Sequence, residues 1–138
     1  MAKYFVTIRT VNDRYMLARV LWDVRWDYPK KALNYRGTWV ERSVEYLSKK
    51  LRLDIWNIMP NHIHFLINVA RESQEEELQE IRQRIGNFMR YTAQREGGPL
   101  WQETYHIHIV QDREEYQVIR NYIKVNHIVW TADRYYKG

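Results

Sequence analysis

The residues whose types and spacing allow chemistry are two His-x-His pairs and a tyrosine and an asparagine one helical turn apart. His62-Ile63-His64 lies within IMPNHIHFLINV. On a strand, side chains two residues apart share a face, so His62 and His64 project together while Ile63, Phe65, Ile67 and Val69 point the other way. Two neighbouring imidazoles of this kind can turn their nitrogen lone pairs on one divalent ion. His106-Ile107-His108 has the same spacing, and periodicity alone does not choose between the pairs. The first stands beside a Pro-Asn turn on a strongly apolar strand. The second lies in a shorter segment with aromatic and polar neighbours, and reads as a decoy or a substrate-facing pair. Tyr122 and Asn126, four apart, share a helix face. Taken singly, each group also has a plainer reading: two histidines without a ligand, a packing tyrosine, and an asparagine at a helix end.

Composition narrows the chemistry. The chain has no cysteine, which removes disulfides, thiolate catalysis and iron–sulfur clusters and leaves imidazole, carboxylate and amide donors for a hard or borderline ion. Its 138 residues predict one domain spanning 1–138, and 45% hydrophobic content with six Trp, eleven Tyr and three Phe supplies a core. No apolar run approaches the ~18 residues of a membrane span, and MAKYFVTIRT opens the chain with alternation rather than a signal core. A cytoplasmic protein with no membrane partner is expected. A balance of 22 Lys+Arg against 17 Asp+Glu, net +5, is compatible with a polyanionic partner.

The positioning elements follow from the periods. Lys3 to Arg9 alternates as a half-buried strand, with a weaker strand around Met16 to Val20. Trp39 to Lys50 carries a helical stripe of Val40, Val44, Leu47 and Leu51. Leu51 to Ile58 and His62 to Val69 form a hairpin across Met59-Pro60-Asn61. Ser73 to Arg95 reads as a long helix with Leu78, Ile81, Ile85, Phe88 and Thr92 inward and Arg82, Arg84, Arg90 and Arg95 among its polar positions. Gly97, Gly98 and Pro99 mark a loop. Trp101 to Val110 is a strand, and Asp112 with Glu115 has capping-box spacing for a last helix to about Val125. On that helix, Tyr116, Ile119 and Ile123 make an apolar stripe with Tyr122 at its edge. The order predicts an α+β fold, a largely antiparallel sheet with helices packed on one side.

Taken together and in order, MPNHIHFLI and LWQETYHIHIVQDREEYQVIRNYIKVN resemble the HUH-type single-tyrosine transposases of insertion sequences. More narrowly they resemble the REP-associated tyrosine transposases, with their Pro-x-His-x-His strand, LWQ-aromatic-His strand and terminal YIxxN helix. The resemblance runs from about Leu51 to Asn126 and implies the ferredoxin-like HUH fold. It implies His62 and His64 as metal ligands, Asn126 completing the metal site, Tyr122 as nucleophile, and Mg²⁺ or Mn²⁺ as the ion. The reaction implied is cleavage and rejoining of hairpin-bearing single-stranded DNA through a 5′-phosphotyrosine. Arg82, Arg84, Arg90, Arg95 and Lys124 are then candidate backbone contacts. The family offers both monomers and homodimers that share an active site. Two other readings accompany this one: a replication or mobilisation nickase of the same type, and a domesticated DNA-binding protein whose His62, His64 and Tyr122 are idle. Asn126 is followed by His127 where the family usually has proline, and Gly138 closes the chain where family members run on into a longer tail.

Overall fold

In the computed structural model, which describes residues 1–137, six strands and three helices follow in the order β1 (Ala2–Arg9), β2 (Ala18–Leu21), β3 (Lys30–Leu33), α1 (Tyr35–Leu47), β4 (Arg52–Met59), β5 (His62–Val69), α2 (Gln74–Glu96), β6 (His106–Ile109) and α3 (Arg113–Val125). The main sheet is antiparallel with strand order β4-β5-β1-β6, and β2 and β3 form a separate hairpin. Register on the central pair sets Tyr4 opposite Ile67, Phe5 opposite Leu66, Thr7 opposite His64 and Arg9 opposite His62. The alternation of β1 and β5 therefore sorts the sheet into two faces.

Tyr4, Val6, Ile8, Ile63, Phe65 and Ile67 share the main core with Trp39, Val40, Val44 and Leu47 of α1 and Ile81, Ile85 and Phe88 of α2. The other face carries Phe5, Leu66 and Ile55, and it is α3 that covers them with Ile119 and Ile123. The α+β class and the antiparallel sheet agree with expectation, whereas packing of all helices on one side does not. α1 and α2 lie on one face and α3 on the other. The cause is visible in β5: it is buried on both faces, so Leu66 needs a second apolar cover.

Local chemistry sets the helix ends. The side chains of Asn34, Ser73 and Asp112 accept from the amides of Gly37, Glu76 and Glu115 at the starts of α1, α2 and α3. Gly97 closes α2 at φ 78°, a conformation glycine adopts without steric cost. At Gly37 the constraint is contact instead: a Cβ there would stand 2.0 Å from the Leu17 carbonyl oxygen, so α1 can seat on the chain beside β2 only with glycine at that turn. The strand expected over Trp101 to Val110 shortens to β6, with Trp101 held separately by a bridge to Thr10. Among the described residues no helix is long and apolar enough to cross a membrane.

Candidate active site

The α3 face of the sheet is apolar toward one end and polar toward the other. At the polar end His62 and His64 stand side by side, ring centroids 4.5 Å apart, both fully buried. α3 crosses them so that the Tyr122 ring lies 5.2 Å from that of His64, and Asn126, one turn on, places Oδ1 3.1 Å from His62 Nε2. The four groups that the resemblance implies meet within one chain. The pairing of β5 with β1 and the Asp112 cap of α3 bring them there.

Hydrogen bonds settle which atoms carry protons. The Asn61 amide donates to the Tyr135 carbonyl at 2.8 Å, so its Oδ1, 2.8 Å from His62 Nδ1, can only accept, and Nδ1 carries the proton. The Asn126 amide donates to Asp133 Oδ2, which turns its own oxygen toward His62. His62 Nε2 and Asn126 Oδ1 thus face each other as two lone pairs. His64 Nδ1 pairs with Thr7 Oγ1 at 2.9 Å, while His64 Nε2 is buried without a partner. A buried acceptor left unmatched costs about 1–3 kcal/mol. Two facing acceptors beside an orphaned imidazole nitrogen could hold a cation. Cis ligands on an octahedral ion with ~2.1 Å bonds lie ~3 Å apart, which the His62–Asn126 separation matches. Among the described residues no group of three His, Cys, Asp or Glu side chains gathers for a metal; the set here is two imidazoles and an amide.

Burial governs the protonation of these groups. It pushes the His62 imidazole down to about 4, Asp133 opposing the shift. His64 is pushed well below its ordinary value by burial, by His62 and by Arg134. Both rings therefore stay neutral, the form in which an imidazole can bind a metal. In the unfolded chain these histidines take up protons near pH 6.5, whereas in the folded chain they resist until about pH 4 at His62. The unfolded state binds more protons in that window, so stability is present in full above pH 6.5 and falls as pH drops toward 4. The expected loss from His62 alone is about 3 kcal/mol, measurable as a decrease in the urea midpoint between pH 7 and 4.5. A flat midpoint over that range would contradict the buried neutral pair.

Tyr122 is half-buried, and its hydroxyl donates to Asp133 Oδ2 at 2.9 Å. Burial first, then the Asp133 charge and hydrogen bond, hold it above the ordinary tyrosine range, so it rests as the phenol. Asp133 escaped sequence reasoning. It follows a short 3-10 turn, Trp130–Ala132, accepts from the Tyr135 amide at 2.8 Å, and binds both Tyr122 and Asn126 through its other oxygen. Thr7 and Asn61, which orient the two imidazoles, were also missed. Asn61 sat in plain view in the Pro-Asn turn, but nothing in the sequence points an isolated aspartate near the C-terminus at a strand sixty-odd residues earlier. The segment after α3 also covers the site. The Tyr135 ring lies 4.4 Å from that of His62 and is backed by the Arg9 guanidinium at 5.1 Å.

A cleft of about 570 Å³ opens on His64 and Tyr122. His106 and His108 lie on its far wall, because β6 pairs His106 with Thr7 and His108 with Phe5; His108 Nε2 lies 3.0 Å from Glu115 Oε1. Arg134 lines the same cleft. The arginines of α2 do not: Arg82, Arg84, Arg90 and Arg95 belong to the helix layer on the opposite side of the sheet, and Lys124 is an exposed residue of α3 outside the cleft lining. His127 lies outside it too, with a buried, unpartnered Nδ1.

Residues 34–126 match the family described as IS200-like transposases. Along nearly its whole length (96%) the chain is 26% identical to an uncharacterised protein of Haemophilus influenzae, covering 84% of that protein. Its fold is similar to that of a REP-associated tyrosine transposase bound to a REP hairpin, at TM-score 0.55 and 15% identity over 91% of this chain, which spans 66% of that protein. It is also similar to a candidate transposase from Deinococcus radiodurans, at TM-score 0.51 and 18% identity over 91% of this chain and 90% of the other.

Proposed function

Because the chain belongs to the IS200-like transposase family, we propose that it cleaves and rejoins hairpin-bearing single-stranded DNA, with Tyr122 as nucleophile and a divalent ion, Mg²⁺ or Mn²⁺, held by His62, His64 and Asn126. The observation that carries this reading is the buried pair of facing lone pairs, His62 Nε2 and Asn126 Oδ1 at 3.1 Å, with the orphaned His64 Nε2 beside them and a tyrosine against the same ring. A packing tyrosine and idle histidines account for neither. The hairpin as ligand is supported by the likeness to the REP-bound protein.

Held by His62, His64 and Asn126, a divalent ion would supply Lewis-acid polarisation of the scissile phosphate. The chain's own residues do the rest. Tyr122 Oη attacks phosphorus, the Oη–P bond forms and the P–O3′ bond breaks, leaving a 5′-phosphotyrosine and a 3′-alkoxide that takes a proton from water. The phenolic proton passes to Asp133 Oδ2, which already accepts its hydrogen bond, so a phenol held above the ordinary tyrosine range need not ionise in advance. Attack by a 3′-hydroxyl on the phosphotyrosine runs the same bonds backwards and rejoins the strand with no external energy source. Tyr135 over His62 keeps bulk water from the pair, and Arg134, His106 and His108 face the incoming phosphates from the cleft walls. Tyr122 meets His64 of its own chain, so one copy contains the full set.

Labelled single-stranded hairpins incubated with Mn²⁺, Mg²⁺ or chelator, then resolved on denaturing gels, test the proposal: a metal-dependent protein–DNA adduct is expected. Hairpin binding with no adduct from the wild-type chain would favour the domesticated binding protein instead. Asp133→Asn keeps the size and an acceptor oxygen but removes the base, and adduct formation is expected to slow about 100-fold with hairpin affinity retained. An undiminished rate would remove Asp133 from the mechanism.

A further inference from the structure

On the other side of the sheet from the cleft, α1 and α2 leave a groove of about 710 Å³ between them. Four cations line it, Arg42 from α1, Lys50 from the turn that follows it, and Arg84 and Arg95 from α2, and no carboxylate does. None of the four is in an ion pair among the described residues, although Arg36, at the start of α1, and Arg71, just before α2, each have a glutamate partner. Arg84 Nε is buried with no acceptor. Two phenols, Tyr46 and Tyr91, stand in the same groove 63% and 57% exposed, with Lys50 Nζ 5.7 Å from the Tyr46 ring. Isolated tyrosines on a surface are ordinary. Two in one groove, among cations that have no counter-charge, are not accounted for by folding.

We infer that this groove is a second binding site, remote from the cleavage cleft, for a single-stranded segment of the DNA substrate. The cations match a chain of phosphates, and the exposed ring faces match unpaired bases, which a duplex would keep stacked inside. The sheet lies between groove and cleft, so a strand cut at Tyr122 could stay attached through its flank while its ends are exchanged. The inference rests on the proposed DNA reading for the identity of the polymer. It also divides the candidate contacts on α2: Arg84 and Arg95 take part, whereas Arg90 is engaged by Asn87 and Arg82 lies outside the groove lining.

The test uses the full chain and a fluorescein-labelled oligothymidylate, which has no hairpin, in anisotropy titrations over a range of NaCl concentrations, with Tyr122→Phe as the background so that nothing is cut. Tyr46→Ala with Tyr91→Ala is expected to weaken oligothymidylate binding at least tenfold. Arg42→Ala with Lys50→Ala is expected to lower the slope of log K against log salt by about 1.4, at ~0.7 per phosphate on single strands. All four side chains are exposed surface residues, so folding tolerates their loss. With Tyr122 present, both pairs should leave adduct formation on a minimal hairpin unchanged. Unaltered affinity and salt slope in both pairs would overturn the groove, as would displacement of the oligonucleotide by polyglutamate at equal charge concentration, which would mark the groove as a site for acidic peptides. Failure of the wild-type chain to form any adduct, with the groove variants still weakening oligothymidylate, would overturn the cleavage reading and leave the groove standing.

Discussion

Tyr122→Phe abolishes covalent attachment of DNA to the protein and leaves hairpin affinity nearly unchanged. The substitution removes one oxygen from a half-buried ring packed against His64 and Phe5. Asp133 Oδ2 keeps its bond from the Asn126 amide, and the lost hydrogen bond costs about 1 kcal/mol. The proposed ion site therefore survives, and only the proposed nucleophile disappears. Any residual cleavage by water would release a free 5′-phosphate and no adduct, so the two chemistries separate on a denaturing gel. Should an adduct persist, Tyr135 is the phenol to examine next, since its ring lies 4.4 Å from His62. Its loss in the double variant would move the nucleophile from α3 to the segment after it.

His64→Ala produces the second large effect. Cleavage is expected to fall about a thousandfold at millimolar Mg²⁺, with partial rescue by excess Mn²⁺, which the remaining imidazole binds better than it binds Mg²⁺. A readout independent of DNA accompanies it. Ion binding to the native state alone stabilises it by about 2.7 kcal/mol at 100 times the Kd, so Mn²⁺ should raise the Tm of the wild-type chain by roughly 5–10 °C and that of His64→Ala hardly at all. The metal-free variant loses the Thr7 hydrogen bond and leaves a cavity under α3, offset in part because the Nε2 it also deletes had no partner. An equal Mn²⁺ shift in both proteins would place the ion away from His64.

Much of the architecture follows from local patterns. The alternation in β1 and β5 and the caps at Ser73 and Asp112 are each written in a few neighbouring residues, and α2 and α3 begin within a residue of where those caps predict. β3 and the start of α1 were less legible. Lys30–Leu33 pairs with β2 in short strands with little apolar alternation, and α1 starts four residues before Trp39 because Asn34 caps it and Gly37 fits against Leu17. Its first turn is set by a contact with a distant carbonyl, not by periodicity.

The candidate site divides in the same way. Sequence by itself determined that His62 and His64 share a strand face and that Tyr122 and Asn126 share a helix face, since both statements need only the periods 2 and 3.6. Whether those faces meet, and whether α3 lies over the histidines or with the other helices, depended on the sheet's second face needing cover at Leu66. Between His62/His64 and His106/His108 the resemblance had already pointed to the first pair, and the folded chain adds their burial: β5 is a central strand that buries its imidazoles, whereas β6 is an edge strand that leaves its own exposed. Asp133 could come only from the folded chain. A carboxylate that orients a tyrosine and an amide acts through distances of a few ångströms, and linear sequence carries no record of which loop returns to supply it.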